Sequence, residues 1–379
     1  MIRFIHTADW QLGMTRHFLS AEEQGRYAEA RLDAVRAIAS LAHATKCDFV
    51  VVSGDVFESN QSDRHVVARA LDAMDVFDVP VFLLPGNHDP LTAAGSVWDS
   101  PTFLSKCPEN VVVLRENEPI SVPGCDAEVV GALWTTKHPL EDIVAVAASK
   151  LPPGGPVRVL VGHGAVDEGN PDPNNPALIR LGDAERIVDE HRVHYVALGD
   201  RHSMTDVGRT GRIWYSGTPL VTDYDEVDSN HVLVVELDGS GIHVEPRSVG
   251  DWQFLQQRFS VNNDADVDSV ADWLERLGPA KRHSVVRISF VGTVDLATKA
   301  HLDEVLDHNK DLLAALEMWD RRTDLAVLPS DTDFADLGLG GFVSKTIDEL
   351  RARAQGGGSE SRVAQDALGL LFRLARSRR

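Results

Sequence analysis

Cysteine is scarce. The 379 residues carry only Cys47, Cys107 and Cys125. The number is odd and no pair has CxxC spacing, so neither a disulfide framework nor a zinc knuckle is available. What remains is free thiols in a reducing compartment. Long apolar runs are also missing. No stretch of ~18 uninterrupted apolar residues occurs, which excludes a membrane-spanning helix at the level of sequence. The N-terminus, MIRFIHTADW, reaches His6 and Asp9 too soon for the apolar core of a signal peptide. A cytoplasmic chain is expected. Basic charge is in deficit, with 37 Lys and Arg against 58 Asp and Glu and a net charge of -21. That excludes a wholly basic wrapper of nucleic acid. It does not exclude an enzyme whose carboxylates hold cations, with phosphate met by a local basic patch or by bound metal.

The hydrophobic content of 43% and charged content of 25% are ordinary globular values. The length suggests two or three domains at roughly 150 residues each. Ile2 to Thr7 reads as a strand, and Ala21 to Ala44 as a helix with Tyr27, Leu32, Val35, Ile38 and Leu41 near helical spacing. CDFVVVSGD, VPVFLLPGNHD, VRVLVGHG and VHYVALGDRH are strands apolar on both faces. SDRHVVARALDAM is a helix with Ser62 as the expected N-cap. Val- and Leu-rich strands separated by helices indicate a parallel sheet covered on two sides, an α/β fold. From Trp214 to Val249 the pattern changes to hairpins, with a turn at Asp238-Gly239-Ser240-Gly241. A small α+β domain follows, placed at residues 251–330. The rest, 331–379, reads as a helical tail broken by AQGGGSES. Val343, Ile347, Leu350 and Ala354 share one face before the break. Val363, Ala367, Leu370, Leu371 and Leu374 share one after it.

Each parallel strand ends in a glycine beside a polar residue: Gly54-Asp55, Gly86-Asn87-His88, Gly162-His163 and Gly199-Asp200. Ligands bind α/β sheets outside the carboxyl ends of strands. Polar groups from distant parts of the chain are therefore expected to converge on one edge. A two-metal phosphoester site needs hard oxygen donors, imidazoles, a carboxylate able to bridge, and open positions for water and phosphate. Asp9, Gln11, Asp55, Asn87, His163, Asp200 and His202 supply that inventory. Asp55 suits the bridge and Asn87 offers an amide oxygen. His88 is a candidate to protonate a leaving oxygen or to bind phosphate. Asp89 is expected to orient His88.

HTADWQLG, VVVSGDVFES, LLPGNHD, LVGHG and LGDRH…IWYSGTP, in this order, resemble the calcineurin-like metallophosphoesterases, and within them the SbcD-type DNA-repair exonucleases. The resemblance covers residues 1–250. It implies a four-layer α/β/β/α sandwich with a small capping domain, two Mn ions, a homodimer, and a coiled-coil ABC-type ATPase gripping the C-terminal helical segment. By position it assigns Asp9 and His202 to one metal, Asp55 to the bridge, Asn87, His163 and Asp200 to the other, and His88 to the scissile phosphate. Two positions depart from the family pattern, which has histidine where this chain has Gln11 and Asp200. The set becomes richer in oxygen, which favours Mn²⁺ or Mg²⁺ over Zn²⁺. The expected activity is metal-dependent cleavage of DNA phosphodiester bonds. The alternatives are a phosphodiesterase for nucleotides or small esters, and a catalytically weak DNA-binding scaffold.

Other groups have blander readings. His6 lies within the first strand and is expected to pack. Arg16 and His17 follow the first motif, Arg201 and Arg209 flank the last, and Tyr215-Ser216 follow on a strand.

Overall fold

The apolar runs of the first 250 residues are buried on both faces because each strand lies between two layers. The computed structural model describes residues 1–92, 95–136, 139–168, 172, 175–238, 241–327, 342–354 and 359–376. It divides into two compact units, Met1–Trp252 and Gln253–Arg379. The first contains β1 (Ile2–Thr7), α1 (Ala21–Thr45), β2 (Phe49–Ser53), α2 (Arg64–Met74), β3 (Val81–Leu84), α3 (Pro101–Lys106), β4 (Val111–Val113), β5 (Ile120–Ser121), β6 (Ala127–Gly131), α4 (Ile143–Ser149), β7 (Val157–His163), α5 (Leu181–Asp189), β8 (Tyr195–Gly199), β9 (Thr205–Asp206), β10 (Ile213–Tyr215), β11 (His231–Asp238) and β12 (Gly241–Ser248).

These strands form two six-stranded sheets, ordered β12-β11-β1-β2-β3-β4 and β5-β6-β7-β8-β10-β9. β1 to β4 run parallel, as do β6, β7, β8 and β10. Alternation along a strand sends successive side chains to opposite faces. Phe4, Phe49, Val51, Phe82 and Leu84 accordingly meet Val129, Val159, Val161, Tyr195 and Ala197 between the sheets. Ile5, Val50, Val52 and Leu83 turn outward to α1 and α2. Val130, Leu160, Val196 and Leu198 turn outward to α4 and α5. The unit is a four-layer α/β/β/α sandwich.

His6 lies in the middle layer, fully buried, with Nδ1 3.0 Å from the Tyr195 hydroxyl and Nε2 3.1 Å from the Leu198 carbonyl. Burial drives its pKa down to about 3, because a dry site disfavours the charged ring. Helix α2 is capped by Asp63, whose carboxylate accepts from His65 N. Ser62, the cap expected from the sequence, instead donates to the Ser59 carbonyl and closes the preceding turn. β11 and β12 pair as an antiparallel hairpin; Gly239 and Ser240 of its expected turn lie outside the described residues.

The second unit contains β13 (Gln253–Ser260), α6 (Asp264–Glu275), β14 (Ser284–Val294), α7 (Leu296–Lys310), β15 (Ala315–Met318), β16 (Asp324–Val327), α8 (Phe342–Ala354) and α9 (Ser359–Arg376). β13, β15 and β16 all pair with β14 in parallel. Where the sequence reading set residues 331–379 apart as a tail, Ile347, Ala354, Ala364 and Leu368 join the apolar cluster built by Val267, Phe290 and Leu302. On α9 the buried stripe therefore runs through Ala364 and Leu368, while Val363 and Leu370 face outward at 68% and 52% exposure. Residues 328–341 and the QGGG of the expected break lie outside the described residues, as do the side chains of Val343 and Leu374. Among the described residues, no helix is long and apolar enough to cross a membrane.

Candidate metal centre

The polar residues at the strand ends converge where the two sheets meet. Asp9 follows β1, Asp55 follows β2, His163 ends β7 and Asp200 follows β8. Asp9, Asp55 and His163 each offer a donor atom, and these atoms all lie within 4.8 Å of one another. All three residues are buried, at 0%, 2% and 0% exposure. The loops that carry them are joined by backbone bonds: Asp9 N donates to Gly54 O at 3.1 Å, Gln11 N to Asp55 O at 2.9 Å and Leu12 N to Val56 O at 2.9 Å. Both Asp9 carboxylate oxygens receive Asp200 N, at 3.2 and 3.1 Å.

Backbone conformation and glycine make the convergence possible. Asp9, Gln11, Asp55 and Asp200 have φ of 52°, 43°, 52° and 93°. These are left-handed values that residues other than glycine rarely adopt. The chain turns sharply off each strand and aims the side chain inward. Two neighbouring glycines leave room. A Cβ at Gly86 would collide with the Asp55 carboxylate, and one at Gly199 with the Ser53 carbonyl. This is the physical reason for the Gly-polar signature.

His163 has its ring fixed from behind. Its Nδ1 lies 2.8 Å from Ser53 O. A carbonyl only accepts, which assigns the proton to Nδ1 and leaves Nε2 facing the centre. Nε2 is 3.4 Å from Asp55 Oδ2 and 3.8 Å from Asp200 Oδ1. The Asn87 carboxamide sits 2.7 Å from His163 Nε2, its oxygen accepting when that nitrogen carries a proton; turned over, its nitrogen donates to the bare Nε2 and to Asp55 Oδ2 at 3.1 Å. Opposite, His202 Nε2 lies 4.0 Å from Asp9 Oδ1 and 3.1 Å from Gln11 Nε2. His202 Nδ1 is held by Thr222 Oγ1 at 2.6 Å and Glu226 Oε1 at 2.9 Å. Glu226 also receives Thr222 N at 2.9 Å, Asp223 N at 3.1 Å and the Thr222 hydroxyl.

The electrostatics follow from crowding acids in a dry place. Burial pushes the Asp9 carboxyl up to about 7. Burial acts the same way on Asp55, but His163 outweighs it and holds that pKa below the usual carboxylate range. Burial disfavours the charged form of His163, yet Asp55, Asp9 and Asp200 raise it well above the usual imidazole value. His202 is raised as well, by Glu226 and Asp9 against burial.

These residues fit a divalent cation. Buried carboxylates are costly unless a positive charge compensates them. The donors are carboxylate oxygens, carboxamides and imidazole nitrogens, the set hard divalent ions use. Gln11 Oε1 is buried with no hydrogen-bond partner among the described residues. Such an omission costs about 1–3 kcal/mol, which a cation would remove.

His88 stands at the rim with its side chain 39% exposed. Its backbone N–H donates to Asp55 Oδ1 at 2.9 Å, and Nδ1 lies 3.0 Å from Glu58 O. Nε2 is 3.9 Å from Asp55 Oδ2. The orienting role expected for Asp89 is corrected here. Its fully buried oxygens accept from Phe57 N at 2.9 Å and Gly86 N at 2.6 Å, so it shapes the loop, and the Glu58 carbonyl orients the His88 ring. Burial and the Asp55 charge push Asp89 up to about 7.

Several groups near the centre carried no sequence signal. Ser53, Thr222 and Glu226 hold the two histidines from loops and strands far away in sequence. Arg31, inside α1 and 2% exposed, donates to Trp10 O at 2.8 Å and to the Tyr27 hydroxyl at 2.8 Å. Among the described residues it has no carboxylate at ion-pair distance. It braces the loop bearing Asp9 and Gln11 with a fixed positive charge. Arg16 reaches the Thr222 carbonyl. Arg209 pairs with Glu185 and Asp189. Arg201 lies over the Tyr215 ring, 5.8 Å from its centroid, and Tyr215 donates to Gly164 O at 2.7 Å.

Comparison with known proteins places this geometry. Residues 2–204, more than half of the chain, match the model of the calcineurin-like phosphoesterases. Over 183 residues the chain is 30% identical to the DNA double-strand break repair protein Mre11 of Archaeoglobus fulgidus, covering 44% of this chain and 39% of that protein. It is 32% identical over 91 residues to the Mre11 of Methanococcus maripaludis, covering 23% of each. The chain thus spans well under half the length of either relative. Among solved structures, a dimetal phosphatase from Danio rerio aligns with 15% identity and a TM-score of 0.40, over 65% of this chain and 96% of that one. Purple acid phosphatase PPD1 of yellow lupin aligns with 13% identity and a TM-score of 0.41, over 65% and 51%.

Proposed function

We propose that this chain, which belongs to the calcineurin-like phosphoesterase family, is a metal-dependent phosphodiesterase that cleaves DNA at broken ends. The observation that carries the reading is the buried convergence of Asp9, Asp55 and His163. Relatives named for DNA double-strand break repair support DNA as the substrate. We propose a cytoplasmic homodimer that works with a coiled-coil ABC-type ATPase, with residues 331–379 as the docking segment and 251–330 as the capping domain.

Asp9, Gln11 and His202 would hold one ion, and Asn87, His163 and Asp200 the other, with Asp55 between them. Mn²⁺ or Mg²⁺ suits this oxygen-rich set. When bound, such ions polarise the phosphate and make water a usable nucleophile near neutral pH. The remaining work belongs to side chains. Ser53 and Glu226 hold the histidines so that Nε2 of each faces inward. His88, its Nδ1 anchored on Glu58 O, keeps Nε2 at the rim to bind the phosphate or give a proton to the leaving oxygen. Asp89 sets the height of that loop through Gly86 and Phe57.

The test uses linear and circular DNA and a simple phosphodiester, with Mn²⁺ or Mg²⁺, for the wild type and His88→Ala. DNA cleavage that the variant loses supports the reading. Turnover of the small ester alone replaces it with a nucleotide or small-ester phosphodiesterase. A wild type inert on all of these leaves a scaffold subunit.

A further inference from the structure

Arg31 stands behind the loop that carries Asp9 and Gln11, and is 2% exposed. Its Nη1 donates to Trp10 O at 2.8 Å, between the two expected ligands. Nη2 donates to the Tyr27 hydroxyl at 2.8 Å and meets Met14 Sδ at 3.3 Å. The guanidinium also lies over the Tyr27 ring, 4.9 Å from its centroid. The Tyr27 hydroxyl donates in turn to Val221 O at 2.5 Å. Val221 precedes Thr222, which holds His202. Arg31 thus ties the loop of Asp9 and Gln11 to the loop that supports His202.

These bonds satisfy Nη1 and Nη2; Nε is buried without a partner among the described residues. They do not account for the charge. A guanidinium taken out of water is costly unless an anion compensates it. Among the described residues no carboxylate lies at ion-pair distance from Arg31, and a tyrosine ring face is a weak substitute. The centre has the opposite imbalance. Asp9 and Asp55 are buried, with Asp200 beside them. After burial, Glu226 and Asp9, Arg31 is among the groups that set the charge on the His202 ring, and it opposes a positive one. Its field therefore reaches the side chains expected to hold a cation.

We infer that Arg31 is a permanent counter-charge of the centre: it steadies the crowded carboxylates while no metal is bound, and it holds down their affinity for the cation that arrives. This rests on the metal-dependent reading above. A brace and a counter-charge differ in sign. Removing a brace loosens the loop and weakens metal binding. Removing a counter-charge takes away a repulsion and tightens it. A centre built with its own buried cation keeps its shape when empty and gives up bound ions more readily than its donors alone would allow.

The experiment separates charge from shape. The full chain, freed of metal by chelation, is titrated with Mn²⁺, and the free ion is read by electron paramagnetic resonance. Each protein is also melted in chelator and in excess Mn²⁺. Arg31→Met, uncharged and similar in length, should reach half-occupancy at roughly tenfold lower free Mn²⁺. It should melt earlier than the wild type in chelator and gain more melting temperature from Mn²⁺. Arg31→Gln, neutral but still a donor, should tighten binding likewise and serves if the methionine variant folds poorly. Arg31→Lys keeps the charge without the planar fork, and should bind Mn²⁺ within about twofold of the wild type. Neutral variants that bind no tighter than the wild type would overturn the inference, as would a lysine variant that tightens as much as they do. In either case the metal-dependent reading stands. A wild type that binds no more Mn²⁺ than Asp55→Asn overturns both.

Discussion

His163 donates through Nδ1 to the carbonyl of Ser53 at 2.8 Å, and so joins the carboxyl edge of one sheet to that of the other. One imidazole therefore has two tasks on its two nitrogens. Asparagine can reproduce the donor but not the inward ligand. His163→Asn should keep most of the stability in chelator yet lose tight Mn²⁺ binding. His163→Ala should lose both, at a cost of about 2–4 kcal/mol from the cavity and the stranded carbonyl. Urea unfolding in chelator, beside a Mn²⁺ titration, separates the two tasks.

Cation binding should release protons. Burial holds Asp9 at about 7, and His163 sits above its usual value because Asp55 and its neighbours outweigh burial. At pH 6 both carry protons that a cation must displace. Affinity should therefore rise with pH, roughly tenfold per unit per proton below 7, with Asp9's share flattening above. The stability sign agrees. A carboxyl with a raised folded pKa contributes stability that is complete below its unfolded value and is lost as pH rises through the folded one. For Asp9 those values are 3.8 and about 7. The increase in melting temperature given by Mn²⁺ should thus grow from pH 6 to pH 8. Calorimetry in two buffers of different ionisation enthalpy measures the protons directly.

Glu226 should matter for metal affinity although it lies behind a ligand. Its carboxylate fixes His202 and gathers two backbone N–H groups and the Thr222 hydroxyl. Glu226→Ala is expected to weaken the Mn²⁺ assigned to His202 by roughly 10–100-fold. Glu226→Gln, which keeps an acceptor oxygen, should recover part of that loss. A variant that melts earlier but binds both ions as the wild type does would make Glu226 a purely structural residue.

Asp89 presents the reverse case, a motif residue whose work is structural. Asp89→Ala strands two buried N–H groups, Gly86 N and Phe57 N. The loss should cost about 3 kcal/mol. Asp89→Asn keeps an acceptor and should cost less. Thermal unfolding at pH 8, where the carboxyl is ionised, gives both values.

The fold and the outline of the centre were legible because the signals are local. Parallel strands announce themselves as apolar runs, and a turn that aims a ligand inward needs a small or left-handed residue next to it. Asp9, Asp55, His163 and Asp200 are found that way. Their supports were not legible. Ser53 reads as the last residue of a strand, Glu226 as one acid among many in a loop, and Arg31 as a surface residue of an amphipathic helix. Each acts across a long stretch of sequence, 110 residues in the case of Ser53 and His163. Asp89 misled through adjacency to His88, since neighbours in sequence at a turn point different ways. Ile347, Leu350 and Ala354 of α8 pack as their spacing suggests, whereas α9 misled because its apolar residues allow two stripes, and packing selects the one through Ala364 and Leu368.

The left-handed turns at Asp9, Gln11, Asp55 and Asp200 carry a wider consequence. Each holds a side chain where glycine would be more comfortable, at a cost of roughly 1 kcal/mol. A search for a hardier protein, scored on heat resistance alone, would be drawn to these positions and would replace them with glycine. The product would melt later and have lost these four side chains of the candidate metal centre. Thermal selection of this chain therefore has to be run with metal retention as a second criterion.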